Sequence, residues 1–158
     1  RDDQVKVPKE TLERAIKLKV IGCLGSSKNA IDVHTCTSKG IVVFDDPRQK
    51  KHNTVFIPNR MIDFMNSGAT YMSHNFPNLQ LPKIAGAHRL AHIHKNVPGI
   101  MAQMNTIFAR HKINITGQFL MTNSILGYCI TDIDKGYDDQ ILKELKKIEE
   151  TIKFRILY

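Results

Sequence analysis

The chain has 158 residues, 42% hydrophobic and 24% charged, which excludes disorder and collagen-like fibre and suits one ordinary domain or two small ones. Its net charge of +8 comes from scattered basic residues, clustered only in Arg48-Gln49-Lys50-Lys51-His52 and Lys143-Glu144-Leu145-Lys146-Lys147, which read as solvated faces. No apolar run approaches the roughly 18 residues of a membrane helix, Arg1-Asp2-Asp3 does not open a signal peptide, and Cys23, Cys36 and Cys129 lack metal or disulfide spacing, so free thiols and a cytoplasmic location are expected.

From Pro8 to Lys19, Leu12, Ala15, Ile16 and Leu18 recur at helical spacing behind a proline suited to a first turn, and Val20-Ile21-Gly22-Cys23 reads as a buried strand. The spacing predicts a second helix over Asn29 to Lys39, stopped by Gly40, and a second strand at Ile41-Val42-Val43-Phe44. Helix–strand–helix–strand alternation predicts a parallel sheet of flavodoxin-like type, incomplete after one unit, over residues 1–47. Residues 48–81 read as a linker with one short apolar run, Val55-Phe56-Ile57-Pro58, and a helical turn at Arg60 to Met65.

Residues 82–158 carry the clearest pattern. Leu90 to His94 reads as a strand. Pro98-Gly99 opens a helix whose Ile100, Met104, Ile107 and Phe108 share a face. Asn114 to Met121 alternates, with Ile115, Phe119 and Met121 on one side and Asn114, Thr116 and Gln118 on the other. Leu126 to Thr131 is a further strand, Tyr137 to Glu150 a helix, and Ile152 to Leu157 a strand leaving a mostly basic face outward. The βαββαβ order predicts a ferredoxin-like domain: a four-stranded antiparallel sheet with two helices on one face. Its opposite face is expected to stay open for a partner, which points to oligomerisation.

The densest polar group is His92-Ile93-His94-Lys95-Asn96-Val97-Pro98-Gly99, where strand gives way to helix. Unpaired N–H groups of a first helical turn attract a carboxylate, and His94 and Asn96 can each donate and accept hydrogen bonds to a small zwitterion. A structural reading stands beside this one, with Asn96 capping the helix and His94 a surface residue. His88, His92 and His94 lack a Cys, Asp or Glu in the same stretch, so no metal is expected. Gly22-Cys23-Leu24-Gly25-Ser26-Ser27 lacks dinucleotide spacing, and no nucleophile elbow is present. The βαββαβ order also suits RNA-binding modules, but Tyr128 is the lone aromatic on its strand, and no nucleic-acid partner is expected.

The segments His88-Arg89-Leu90 with His92 to Gly99, Lys112-Ile113-Asn114-Ile115 and Arg155-Ile156-Leu157-Tyr158 closely resemble the C-terminal ACT domain of the bacterial-type D-3-phosphoglycerate dehydrogenase family. Gly68-Ala69-Thr70 and Asn75 to Pro82 resemble its lead-in. Leu18 to Cys23 and Lys39 to Pro47 resemble the family's substrate domain, with Ser27-Lys28-Asn29 departing from its usual turn.

The resemblance implies an NAD-dependent oxidation of 3-phosphoglycerate to 3-phosphohydroxypyruvate, opening L-serine biosynthesis, with L-serine as feedback inhibitor. It implies that His94 and Asn96 of one subunit and Asn114 of another hold serine, that ACT domains pair edge to edge in a homo-oligomer, a tetramer, and that Arg1 contacts substrate phosphate. The family's nucleotide-binding domain would fall between Pro47 and Arg60. Its glycine-rich loop and catalytic Arg, Glu and His are absent here, Asn59 standing where the histidine would be. The 158 residues alone are therefore expected to be inactive, with no catalytic or NAD-binding residue of their own. They read as joined pieces of a longer enzyme or as the product of an internal deletion. A stand-alone amino-acid-binding or dimerisation module without catalysis is the alternative.

Overall fold

The computed structural model describes residues 5–46, 55–82, 84–134 and 136–158. Arg1 and the basic run at 48–52 lie outside the described residues. A small N-terminal lobe contains α1 (Lys9–Arg14), β1 (Val20–Cys23), α2 (Val33–Ser38) and β2 (Val42–Asp45), followed by α3 (Phe56–Ser67). The C-terminal part contains β3 (His88–Lys95), α4 (Ile100–Arg110), β4 (Ile115–Thr122), β5 (Leu126–Ile133), α5 (Asp139–Lys146) and β6 (Thr151–Ile156).

The expected parallel pair forms, with β1 and β2 in register from Val20–Val42 to Cys23–Asp45. Both helices around it are shorter than their patterns suggested. The first ends at Arg14: Ile16 is 85% exposed and Leu12 alone is anchored in the core, because the chain must turn there to enter β1. The second begins at Val33, where the Asp32 carboxylate accepts from the Thr35 backbone N–H and hydroxyl, both at 2.9 Å.

Residues 55–58, read as a short apolar run in a linker, open the twelve-residue helix α3, so the turn expected at Arg60 to Met65 is the middle of a longer element. Pro58 fits because first-turn positions have no intrahelical partner for an N–H. Gly68 ends the helix at φ 79°, donating to the Phe64 carbonyl.

The second sheet has the order β4-β5-β3-β6, all neighbours antiparallel, with α4 and α5 on one face. Ile100, Met104, Ile107 and Phe108 pack there with Ile141 and Leu145 of α5. That last helix is shorter than expected, starting where Asp138 accepts from the Ile141 N–H at 2.8 Å.

The other sheet face is not open. Ala91, Ile93, Tyr128 and Ile130 join Val42, Phe44, Ile57 and Phe64 in one core, so α3 and the N-terminal lobe cover it. The basic face of β6 therefore points inward. Arg155 is 7% exposed with its guanidinium 4.4 Å from the Phe64 ring centroid, and Lys153 Nζ donates to the Leu18 carbonyl at 2.9 Å. Alternation identifies a strand's two faces but not which polar face a neighbour will cover.

A bulge between Ile115 and Gly117 reverses the alternation of β4. Ile115 packs beneath the helices, while Phe119 and Met121 fall on the opposite side, 45% and 44% exposed. They were expected on one side together.

Candidate functional site

β3 ends in alternating residues that place His92 and His94 on the helix face, ring centroids 5.1 Å apart. Both are buried. His92 has both ring nitrogens engaged, Nδ1 with Met104 Sδ at 3.0 Å and Nε2 with the Thr151 hydroxyl at 2.8 Å. Burial, reinforced by His94, pushes its pKa down to about 4, so it is neutral at physiological pH.

His94 differs. Its Nδ1–H donates to the Lys95 carbonyl at 2.7 Å, which fixes the tautomer and leaves Nε2 as an acceptor. Nε2 is buried with no partner among the described residues. Burial lowers this imidazole's pKa as well. An orphaned buried acceptor disfavours the free state and rewards a ligand that supplies an N–H or O–H.

Asn96 does not cap α4. The cap position is Gly99, at φ 88°, with no side-chain bond, while Asn96 Nδ2 donates across to the Asn123 carbonyl at 2.8 Å. This leaves the first-turn N–H groups of α4 uncapped beside an exposed amide and the His94 edge. Asn114 sits just before β4, its backbone tied to Asp134.

The structure brings His94 and Asn96 together but not Asn114. Ile115 aligns with Ile133 and so with His88, whereas Thr122 aligns with Gly127 and His94, placing Asn114 at the opposite end of the sheet. At about 3.4 Å per residue the gap is roughly 20 Å. β4 is an edge strand, and Phe119, Leu120 and Met121 are all more than a third exposed on it. Two-fold antiparallel pairing of this edge with a second copy would carry each Asn114 toward the other copy's Asn96 end.

Gly127 was not singled out from sequence. A Cβ there would collide with the His94 ring, lying 2.6 Å from Nε2. A glycine inside a strand marks such a close approach, and that was the available signal.

Other candidates separate. The His88 ring packs at 6.0 Å from Tyr137, away from His92 and His94. Tyr128 is fully buried, its hydroxyl donating to the Gly68 carbonyl at 2.8 Å, and offers no face to a base. Burial pushes the Cys36 and Cys129 thiols up to about 11, so neither is a ready nucleophile. In the loop after β1, the Ser27 N–H and hydroxyl both donate to Asp45 Oδ2, at 3.0 and 2.6 Å. These donors face a carboxylate, so the loop does not fit a dinucleotide phosphate.

Residues 90–153 match the family model described as AHAS small subunit-like ACT domain, and residues 2–55 match that of the D-isomer specific 2-hydroxyacid dehydrogenase catalytic domain. The chain is 37% identical over 102 residues to D-3-phosphoglycerate dehydrogenase of Haemophilus influenzae, covering 65% of this chain and 25% of that protein. It is 38% identical over 104 residues to the Escherichia coli K12 enzyme, with the same coverage, and 35% identical over 102 residues to the Dictyostelium discoideum enzyme. The chain thus spans a quarter of the length of these relatives.

Proposed function

From a chain whose sequence is related to D-3-phosphoglycerate dehydrogenases, with an ACT domain at 90–153 and a 2-hydroxyacid dehydrogenase segment before it, we infer a regulatory, effector-binding role. In the parent enzyme the activity is NAD-dependent oxidation of 3-phosphoglycerate to 3-phosphohydroxypyruvate in the cytoplasm. No chemical step is assigned to the described residues. Their work is to bind L-serine and to hold two subunits in one relation.

The observation that carries this reading is the His94 Nε2, without a partner among the described residues, at the end of β3 that leads through Asn96 to the start of α4, which has no side-chain cap. The ammonium group of serine supplies the donor that Nε2 lacks. Its carboxylate suits first-turn N–H groups at the positive end of the helix dipole. Asn114 of a second copy closes the site from across the β4 edge, so ligand and subunit pairing reinforce each other. Arg1 is assigned to substrate phosphate by family position alone.

Isothermal titration with L-serine, alongside light scattering, tests the proposal. Saturable binding at one serine per subunit with a dimer or tetramer supports it. A monomer that binds no serine removes it. Because these 158 residues alone are expected to be inactive under either reading, the mass of the natural polypeptide distinguishes the stand-alone binding module: 18.0 kDa supports it, and a mass more than twice that removes it.

A further inference from the structure

A cavity of about 450 Å³ lies at the seam between the N-terminal lobe and the antiparallel sheet, lined from the first by Val33, Thr37 and His74 and from the second by Lys95, Asn123, Ile125 and Ile152. It shares with the proposed effector site only the backbone carbonyls of Lys95, Asn123 and Ile125, which accept from His94 and Asn96, and none of the wall side chains. It is large enough for a small ring or branched chain with one polar group.

Two of the charged groups around it are engaged. Lys95 Nζ is 2.6 Å from Glu150 Oε2, and His74 Nδ1 is 3.1 Å from Asp45 Oδ2. His34, also on the wall, has Asp32 on the preceding turn as a coulombic neighbour. Asn75 is spent too: Nδ2 donates to Thr37 Oγ1 and the Ile41 carbonyl, and Oδ1 accepts from the Val43 N–H. An ion entering here would compete with an existing carboxylate or ammonium partner and lose its hydration.

What remains is the apolar surface of Val33, Ile125 and Ile152 and two small polar features. Asn123 uses its Oδ1 on the Ile125 and Leu126 N–H groups, and its Nδ2 has no partner among the described residues. The Ser38 hydroxyl donates to the Thr35 carbonyl, which leaves its lone pairs available as acceptors. We propose that this cavity is a binding site for an uncharged small molecule with an apolar ring or branched body and a single hydroxyl or amide head, held between the two lobes. This reading does not depend on serine binding to the His94 loop.

Backbone ¹⁵N NMR of the whole chain tests it with three probes that share one ring and differ in charge: benzyl alcohol, benzoate and benzylammonium. Benzyl alcohol should move the Val33, Thr37, Asn123 and Ile125 amides saturably, with a dissociation constant on the order of 1 mM as expected for so small a ligand. The charged probes should bind about tenfold more weakly. Ile125→Ser removes an apolar wall from an exposed turn, and Ser38→Trp fills the space. Each should weaken benzyl alcohol about fivefold or more while leaving the serine titration unchanged. Tighter binding of benzoate would overturn the proposal in favour of an anion site. So would shifts confined to Phe119–Met121, which would mean adsorption to the β4 edge, or no saturable shift with any probe.

Discussion

The imidazole of His94 occupies the space that a side chain on Gly127 would need, the two residues facing each other across the β3–β5 ladder. Gly127→Ala adds one methyl group and removes no polar atom, yet it must displace the ring that carries the orphaned acceptor. Serine affinity in calorimetry is expected to fall about tenfold or more, with a melting temperature a few degrees lower at most if the ring swings outward. Unchanged affinity would separate His94 from the effector site.

The two asparagines should behave as halves of one site. Asn96→Ala and Asn114→Ala are each expected to weaken serine by about one hydrogen bond, roughly 1–2 kcal/mol, with little change in stability because both side chains are exposed. A heterodimer with Asn96→Ala in one subunit and Asn114→Ala in the other tests the arrangement. If the site crosses the β4 edge, one of its two sites loses both groups and the other keeps both. Two sites that have each lost one group would show instead that each chain supplies both residues.

The buried histidines set an acid limit. The folded pKa of His92, about 4, lies below its unfolded value near 6.5, so the unfolded chain takes up the proton first as pH falls. Stability from this group is fully present above pH 6.5 and is lost on the way down to pH 4, by roughly 3 kcal/mol. His94, shifted the same way, adds to the loss. Urea unfolding between pH 7.5 and 4.5 should show it, and His92→Gln should flatten the profile.

Two arginines on one sheet face should respond oppositely. Arg89 is fully buried and bidentate to Asp132, 2.7 Å at both contacts, and it also donates to the Ser67 and Pro82 carbonyls. Arg89→Met leaves a buried carboxylate uncompensated and should destabilise the fold by about 3–5 kcal/mol. Among the described residues Arg155 has no carboxylate partner: Nε and Nη1 are unpaired, and burial lowers its pKa. Arg155→Met keeps the volume against Phe64 and removes the desolvated charge, so the melting temperature is expected to rise.

At Gly68 two demands coincide. The residue is left-handed, and a Cβ would stand 2.9 Å from both Leu157 Cδ1 and the Tyr128 hydroxyl. Gly68→Ala should destabilise by at least about 1–2 kcal/mol in thermal unfolding, more than the conformational term alone.

The antiparallel domain was legible because α4 buries one face, so apolar spacing and structure agree residue by residue at Ile100, Met104, Ile107 and Phe108. α3 was only partly legible, as an apolar run at 55–58 and a separate helical turn at Arg60 to Met65, because Pro58 sits inside it, where a first turn tolerates proline. The contents of the second sheet face were hidden for a different reason. Lys153 and Arg155 are polar by composition, and only tertiary structure shows Phe64 and the Leu18 carbonyl waiting for them. At the site, His94 and Asn96 were legible as a strand-to-helix corner. Asn114 cannot join them within one chain, since strand register puts it at the far end.

The bond from Lys153 to the Leu18 carbonyl joins residues 135 positions apart. β6 is the last strand of the sheet, and its inward face contacts the first lobe. That lobe is therefore made before β6 but finds its full set of neighbours only after β6 has emerged. At roughly 5–20 residues per second, the two-stranded sheet waits for many seconds with its apolar surface uncovered. Removing β6 would leave the first lobe without this support, so the last strand of the sheet acts as a folding checkpoint for that lobe.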